Sequence, residues 1–572
     1  MADSERYTGA DALTDALVRA GVSYVFLNSG TDYPPIIESW AKYEEKGLPK
    51  PEVILCPHEM VALSAAQCYA QITGQAQAVF VHVDVGTQNL GGSIHNAARC
   101  RVPAFILAGL SPYTMEGELK GTRNSPVQFI QDVYDQASIV REYTKWHFKI
   151  GTAKNIPQLV QRAMQIAHSD PQGPVYLMAA REVLEEESIK VELDPKYWGP
   201  IAPNGLNDKA LETLVAALLE AENPLIITSY LGRNPAAVPE LVKLCEQLAI
   251  PVIEGRSTYM NFPANHPLHL GYDVGKFVRK ADLILVLDCD LPWVPANLQP
   301  AKDCRVFYLD VDPVKENTPL WYIPAEAYLK VDSYLALQQL NKRLAAMESE
   351  NKARITQRRA LLEDEHKRMR AEWKSKEEMQ SIMTPEYVVA CLREIVTDDT
   401  LILDETTSFH PVVQRHLPRN KPGTMIMSGG SALGWVGGAA IGAKLAVPEK
   451  DVVALVGDGT YMLTCPAAVY WTARKYKTPF LTVIFNNQGW GAPKLAAKRE
   501  HPNGYAAKND TFWVALEPTS QLAHVAEAVG DAFAQTVTDP KEVKNALQEG
   551  MAAVKDGKCA VINIVFPAVA KL

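Results

Sequence analysis

Long hydrophobic runs are absent from this sequence. A membrane-spanning helix needs roughly 18 to 20 consecutive apolar residues, whereas the longest runs here, such as Leu283 to Cys289, have the length of buried strands. The N-terminal residues also lack the basic start and apolar stretch of a signal peptide, and they continue directly into an acidic amphipathic pattern. We therefore expect no membrane partner and a cytoplasmic location.

Basic charge and cysteine pairs are scarce as well. The 57 Lys and Arg residues are outnumbered by 66 Asp and Glu, which gives a net charge of -9. We expect no nucleic-acid partner, because no basic field would attract a polyphosphate backbone. The nine cysteines are scattered and contain no C-x-x-C pair, which is typical of the reduced thiols of a cytosolic enzyme.

The chain does contain many short Val-, Ile- and Leu-rich runs that alternate with helical patterns. This alternation is typical of parallel sheets covered by helices, and 572 residues are enough for three or four domains. We predict an α/β fold class with three doubly wound parallel-sheet domains, at residues 1–188, 189–340 and 384–572. The intervening stretch, 341–383, is dense in Lys, Arg and Glu without Gly or Pro, so it should be a solvated helical linker or, alternatively, a partner-binding helix.

The sharpest local motif is Gly457-Asp458-Gly459 at the end of one apolar run, followed by Asn486-Asn487-Gln488-Gly489 at the end of the next. The carboxyl ends of neighbouring parallel strands are where open α/β sheets bind ligands. A carboxylate, a side-chain amide and a backbone carbonyl would there form part of an oxygen cage suited to Mg²⁺. A GDG triplet alone would indicate only a turn.

Together these motifs resemble the cofactor signature of the thiamine diphosphate enzymes, the superfamily of acetolactate synthase, benzoylformate decarboxylase and benzaldehyde lyase. The resemblance covers the whole chain and implies a pyrimidine-binding domain, a middle domain and a diphosphate-binding domain, in that order. It implies that Asp458, Asn487 and the carbonyl of Gly489 hold Mg²⁺ against the diphosphate. The cofactor contacts that it implies near the phosphates are Gly457, Gly459 and Thr460, with Thr407 and Ser408 as weaker candidates.

Two further segments are similar to motifs of the same family. Cys56-Pro57-His58-Glu59 resembles the stretch that carries the family's catalytic glutamate, which implies that Glu59 shares a proton with the aminopyrimidine of the cofactor. Taken alone, Glu59 would equally suit a helix N-terminus. The segment that begins at Ser431 is similar to the one in which a bulky residue, here Leu433, supports the bent cofactor, and Ser431 is a further cofactor contact.

Candidate substrate residues come from two turns of the first domain. Val25 to Thr31 matches the family's VFGxPG turn except at Leu27 and Ser29, and it makes Ser29 and Thr31 substrate contacts. His82 lies where benzoylformate decarboxylase has an active-site histidine, although it would also suit a core position with a backbone partner. Gln131 aligns with a family residue near the active site, so we count it with Glu59 and His82 among the catalytic candidates.

The resemblance leaves the reaction open between ligation and simple decarboxylation, both through ylide and enamine intermediates. His82 favours protonation to an aldehyde. Two other residues favour ligation: Trp490 lies in a motif similar to that of benzaldehyde lyase, and Pro295 aligns near the place where benzoylformate decarboxylase has a second histidine. We prefer an acetolactate synthase-like carboligase or lyase acting on a 2-oxo acid or 2-hydroxy ketone. The alternatives are a benzoylformate decarboxylase-like enzyme, a hydroxyacyl-CoA or oxalyl-CoA lyase, and a catalytically silent relative.

The resemblance also bears on further cofactors and on assembly. The middle domain has no G-x-G-x-x-G turn, yet acetolactate synthases carry FAD there, so FAD stays undecided. A CoA substrate would need basic residues in this domain, for which Arg233, Lys276, Arg279 and Lys280 are the candidates. The family implies a homodimer or homotetramer with active sites between subunits.

Overall fold

The first domain is a six-stranded parallel sheet with apolar side chains packed on both faces. In the computed structural model, which describes residues 6–347, 352–518 and 520–569, its strands are β1 (Tyr24–Leu27), β2 (Glu52–Leu55), β3 (Ala78–Val81), β4 (Ala104–Leu110), β5 (Trp146–Lys149) and β6 (Pro174–Ala180). Its helices are α1 (Gly9–Arg19), α2 (Pro34–Glu45), α3 (Glu59–Thr73), α4 (Val83–Asn89), α5 (Gly91–Arg99), α6 (Val127–Ile130), α7 (Ile156–His168) and α8 (Arg181–Glu185). The strand order β2-β1-β3-β4-β6-β5 reverses direction between β1 and β3, which makes that crevice the expected ligand site.

The middle domain is a five-stranded parallel sheet in the order β11-β10-β9-β7-β8 once its strands are numbered along the chain. These are β7 (Pro224–Thr228), β8 (Val252–Glu254), β9 (Leu283–Leu287), β10 (Arg305–Asp310) and β11 (Ala327–Lys330). The helices are α9 (Asp208–Glu220), α10 (Ala237–Leu248), α11 (Gly275–Val278) and α12 (Ser333–Ala345). The first residues of the predicted linker therefore belong to α12, and Leu344 lies in the core of this domain.

The charged stretch forms one long helix, α13 (Lys352–Lys374), that also contacts the middle domain. Residues 348–351 of the predicted linker lie outside the described residues. Arg354 donates to the carbonyl oxygen of Leu219 at 2.5 Å, at the end of α9, and Arg358 donates to that of Ala249 at 3.1 Å, at the end of α10. Cationic side chains satisfy the last carbonyls of a helix and interact favourably with its dipole, so α13 is held along its arginine face rather than solvated all round.

The third domain repeats the topology of the first. Its strands are β12 (Leu401–Glu405), β13 (Met425–Ile426), β14 (Val452–Gly457), β15 (Leu481–Asn486), β16 (Phe533–Val537) and β17 (Ala560–Val565). Its helices are α14 (Pro385–Ile395), α15 (His410–His416), α16 (Trp435–Ala446), α17 (Asp458–Leu463), α18 (Pro466–Tyr476), α19 (Gly491–Glu500), α20 (Tyr505–Asn509), α21 (Leu522–Gly530) and α22 (Val543–Lys555). The order β13-β12-β14-β15-β17-β16 reverses between β12 and β14, and the predicted α/β fold class with three parallel sheets is confirmed.

Helices α3 and α16 join the first and third domains by close backbone contact. A methyl group on Gly438 would overlap the carbonyl oxygen of Val61, and one on Gly442 would overlap that of Ala65. Because glycine has no Cβ, the two helices approach more closely than any other residue would allow. Within the part of the chain that the structure describes, no helix combines the length and hydrophobicity that crossing a bilayer requires.

Candidate active site

Five predicted residues lie beyond the carboxyl ends of neighbouring strands in the first sheet. Ser29 and Thr31 follow β1 and are exposed, Glu59 follows β2, His82 follows β3, and Gln131 comes after β4. The β1/β3 crevice lies among them, so residues far apart in sequence meet at the edge where parallel sheets bind ligands.

Glu59 is the first residue of α3 and is only 4% exposed. The side-chain amide of Asn89 donates to Oε2 at 3.0 Å. Gly86 faces the other oxygen, and a methyl group there would lie 3.0 Å from Oε1. Two turns of α4 therefore position the Glu59 carboxylate, and the absence of a side chain at Gly86 leaves room beside Oε1.

His82 is held on both ring nitrogens. Nδ1 lies 2.6 Å from Oδ1 of Asp32, and Nε2 lies 3.0 Å from Oε1 of Gln131. Burial by itself would lower the pKa of His82, but the hydrogen bond and charge of Asp32, together with the Gln131 contact, raise it above its ordinary value. The imidazole is therefore biased toward the protonated form, which can donate a proton.

Asp458 connects the turn after β14 with the turn after β15, at the carboxyl edge of the third sheet. It begins α17, after β14, while Asn487 and Gly489 follow β15. The backbone N–H of Gly459 donates to Oδ1 at 2.8 Å, and that of Gly489 donates to Oδ2 at 2.9 Å. Burial raises the pKa of the Asp458 carboxyl group, against these hydrogen bonds, which lower it.

Further predicted residues lie beside the glycines of the same two turns. A methyl group on Gly457 would lie 3.7 Å from Oγ1 of Thr460 and 3.9 Å from Oγ1 of Thr407, and one on Gly491 would lie 3.0 Å from Oγ of Ser408. The indole of Trp490 lies directly over Gly459 and would overlap a methyl group there. The hydroxyl groups therefore line the same edge as Asp458, and the Trp490 ring packs against the GDG turn.

The loop that carries Leu433 is fixed from both sides. Oγ of Ser431 lies 3.0 Å from Nε2 of His95 in the first domain. The Glu405 carboxylate accepts the N–H groups of Gly434, Trp435 and Val436 at 3.1, 3.2 and 2.9 Å. Burial raises the pKa of Glu405 to about 8, although these three bonds lower it. Glu405 thus caps the N-terminus of α16 and holds Leu433 at its entrance.

Comparison with known proteins covers most of the chain. Three models of one family match: the thiamine pyrophosphate enzyme N-terminal TPP binding domain at residues 7–139, its central domain at 211–339, and its C-terminal TPP binding domain at 405–564. The chain belongs to the thiamine pyrophosphate enzymes. This is the superfamily that the sequence motifs indicated, and the enzyme's cofactor is thiamine pyrophosphate, also called thiamine diphosphate.

The enzyme has distant relatives of two kinds. Acetolactate synthase isozyme 3 large subunit of Escherichia coli (strain K12) is 24% identical over 98% of this chain and 95% of its own. Benzoylformate decarboxylase of Pseudomonas aeruginosa is 24% identical over 84% of this chain and 85% of its own. Among solved structures, Rhodococcus jostii RHA1 thiamine diphosphate-dependent 4-hydroxybenzoylformate decarboxylase has a TM-score of 0.78 at 21% identity and covers 98% of this chain and 99% of its own. At this identity the structural likeness concerns the fold alone.

The residues of the third sheet edge fit a diphosphate with a hard cation. Asp458 is a buried carboxylate that accepts the Gly489 N–H, and Asn487, also buried, lies two residues before Gly489 in the turn after β15. Oxygen donors of this kind are what Mg²⁺ prefers. Among the described residues there is no cluster of three or more His, Cys, Asp or Glu side chains that could hold a metal ion.

Several residues of this site were not predicted, among them Asp32 and Glu405. Asp32 is only 3% exposed and pairs with His82, yet in the sequence it is one acidic residue in an ordinary polar turn. Glu405 lies in the Asp404-Glu405 segment next to the predicted Thr407, but its capping of α16 depends on a contact 29 residues along the chain. No local pattern could have revealed either partner.

Proposed function

We propose that this enzyme decarboxylates a small 2-oxo acid with thiamine diphosphate and Mg²⁺. The observation that carries the proposal is the placement of Glu59 and of the His82 pair at one edge of the first sheet, beyond β2 and β3. When bound, thiamine diphosphate supplies a carbon nucleophile and an electron sink. Glu59 would hold a proton at N1′ of the aminopyrimidine, while Asp458, Asn487 and the Gly489 carbonyl would hold Mg²⁺.

The contacts of His82 favour protonation of the decarboxylated substrate to an aldehyde. A histidine whose pKa is raised and whose two nitrogens face acceptors is suited to donate a proton. The argument for ligation from Trp490 is weaker than its sequence suggested, since its ring packs on Gly459. Ser29 and Thr31, exposed beside the crevice, remain the candidate substrate contacts.

Carboligation is the second candidate. Acetolactate synthases match this chain over 95 to 98% of its length, and the sequence resemblance puts Pro295 near the place at which benzoylformate decarboxylase uses a second histidine. In that reaction a second carbonyl compound, instead of the His82 proton, would receive the new bond and give a 2-hydroxy ketone or acetohydroxy acid.

We infer that the middle domain binds neither FAD nor CoA. At the carboxyl ends of its strands, Lys315 donates to Asp310 at 2.6 Å, and the guanidinium of Arg101 lies 4.8 Å from the centre of the Tyr230 ring. Arg233, a candidate for CoA phosphates, is paired with Asp170 at 2.7 Å. These basic side chains are therefore engaged by the protein's own acidic and aromatic groups. Purified enzyme should therefore lack flavin absorbance near 450 nm.

We also infer that the enzyme assembles at least as a homodimer. In the single chain, Val85 near Glu59 is 45% exposed, and Met462 and Leu463 after the GDG turn are 52% and 46% exposed. Large apolar side chains exposed beside functional groups commonly mark protein interfaces, and the family resemblance implies sites shared between subunits. Size-exclusion chromatography with light scattering tests this, because an active monomer would contradict it.

Product analysis by NMR tests the proposed function. The purified protein, with thiamine diphosphate and Mg²⁺, is incubated with pyruvate or benzoylformate, with and without an acceptor aldehyde, beside a Glu59→Gln control. Aldehyde as the main product is expected, and a hydroxy ketone as the main product would favour the second candidate. No turnover of either acid would contradict the proposal for these substrates.

A further inference from the structure

We propose that Asp32 is a positioning residue that keeps His82 doubly protonated and fixes the direction of its Nε2–H bond. The inference rests on the proposed function only for the use of that proton. The state of His82 itself can be measured without any substrate.

The pairing geometry assigns protons to both ring nitrogens. An ionised carboxylate only accepts hydrogen bonds, so the 2.6 Å contact between Asp32 and His82 puts a proton on Nδ1. Oε1 of Gln131, 3.0 Å from Nε2, is also an acceptor and calls for a second proton. Gln131 is itself held in place, because the Ser111 hydroxyl donates to the backbone carbonyl oxygen of Gln131 at 3.0 Å.

Asp32 also stabilises a strained turn next to His82. Val83 has φ of 30°, a region that β-branched residues rarely adopt. Oδ2 of Asp32 accepts the Val83 N–H at 3.3 Å, so one carboxylate contacts both the imidazole and the backbone that orients it. Backbone strain of this kind persists only where the surrounding contacts hold the residue in place, and it is concentrated at functional sites.

Two glycines make the room for this pair. A methyl group on Gly30 would overlap Nδ1 of His82, and one on Gly109 would overlap Oδ2 of Asp32. The first glycine follows β1 and the second lies in β4, so three neighbouring strands contribute to one tight packing arrangement. A side chain at either glycine would therefore collide with the Asp32–His82 pair.

Other charged and titratable groups around the pair are few. Asp84 on α4 adds a further negative charge that acts on His82, and it is only 5% exposed. Arg181 on α8 donates to the carbonyl of Thr31 at 3.4 Å and acts electrostatically on Asp32. The Tyr33 hydroxyl donates to the Val81 carbonyl at 2.6 Å rather than to Asp32. Asp32 is therefore the partner in direct contact.

The proposed proton transfer involves His82, the substrate carbon and solvent. The Nε2–H bond of His82 breaks, its electron pair stays on Nε2, and the proton goes to the substrate carbon that carried the carboxylate. His82 is left neutral, with its remaining proton on Nδ1 against Asp32. After the product leaves, a proton taken up from solution returns to Nε2, which is the one proton that decarboxylation of a 2-oxo acid anion to an aldehyde and CO₂ consumes.

The test is the pKa of His82 measured by mass spectrometry from hydrogen–deuterium exchange at the imidazole C2 carbon across pH, on the full-length protein. Asp32→Asn keeps the shape and removes the charge, and the His82 pKa should fall by about 1 unit or more. Asp84→Asn, a buried neighbour without a direct bond, is the matched control and should shift that pKa by less than half as much. An unchanged His82 pKa in Asp32→Asn would overturn the proposal.

Gly109→Ala provides a second test of the Asp32–His82 pairing, and this substitution changes no polar group. It should displace Asp32 and lower the His82 pKa in the same direction, and an unchanged value would contradict the tight packing. In turnover assays, Asp32→Asn should form aldehyde about tenfold more slowly at pH 7.5, with a smaller loss at pH 6. If the wild type turns over neither acid while the pKa shift occurs, the proposed function fails and the positioning role of Asp32 stands.

Discussion

Replacing Gly442 by alanine should destabilise the enzyme, although the same change stabilises most helices. Alanine is about 1 kcal/mol more favourable than glycine inside a helix. At Gly442, however, the added methyl group would overlap the carbonyl oxygen, carbonyl carbon and Cα of Ala65 on α3. These are backbone atoms and cannot rotate away, so the helices must separate. Overpacking of this kind typically costs about 1 to 3 kcal/mol.

Thermal unfolding of the full-length protein measures this effect. For a cooperative unit of domain size, that loss corresponds to a decrease in Tm of roughly 2 to 10 °C. The matched control is Gly91→Ala, at the first residue of α5, where an added methyl group meets no atom within 4 Å. Its Tm should be unchanged or slightly higher.

Cofactor affinity provides a second readout of the same variant. Leu433 precedes the N-terminus of α16 and Glu59 begins α3, so separating the two helices moves both residues. Thiamine diphosphate should bind more weakly to Gly442→Ala, as measured by isothermal titration calorimetry. A Gly442→Ala protein that unfolds at or above the wild-type Tm would refute the close approach of α3 and α16.

Three further expectations follow from single contacts. Arg358→Met removes the bonds to the carbonyls at the ends of α9 and α10 and should lower Tm, while Lys367→Met on the exposed side of α13 should not. Asp458→Asn should weaken Mg²⁺-dependent cofactor binding roughly tenfold to a hundredfold, the effect of losing about 1.5 to 3 kcal/mol from a charged contact, with calorimetry at fixed Mg²⁺ as the check. The raised pKa of His82 stabilises the fold below the ordinary histidine pKa, and this stabilisation is lost as pH rises through the folded pKa. The Tm advantage of the wild type over His82→Gln should therefore be larger at pH 6 than at pH 9, and an advantage that does not change with pH would argue against the pairing.

The sequence by itself determined the central strands of all three sheets. Strands such as β4, β9 and β15 are buried along nearly their whole length, so burial on both faces produces a continuous apolar run that can be recognised locally. The edge strands β5, β8, β11, β13 and β16 were not predicted. Of these, β5, β11 and β16 are largely half-buried or exposed and their sequences carry little apolar pattern, whereas β8 and β13 have only three and two residues.

The sequence also indicated the main candidate cofactor residues. Asp458, Asn487 and Glu59 stand in motifs in which the residue type and its neighbours are visible side by side, and the family comparison agrees with the cofactor those motifs indicated. The role of each residue is still a prediction from the resemblance. Its position at a sheet edge is what the structure contributes.

Only the tertiary structure decided which side chains act on one another. Asp32 and His82 are 50 residues apart and meet because β1 and β3 are neighbours, and Glu405 reaches α16 across the third sheet edge. The same holds for the arginines of α13, whose pattern indicated solvent but whose partners are helix ends more than 100 residues away. Periodicity reports how a residue is buried, whereas its partner depends on which distant segments the sheet order brings into contact.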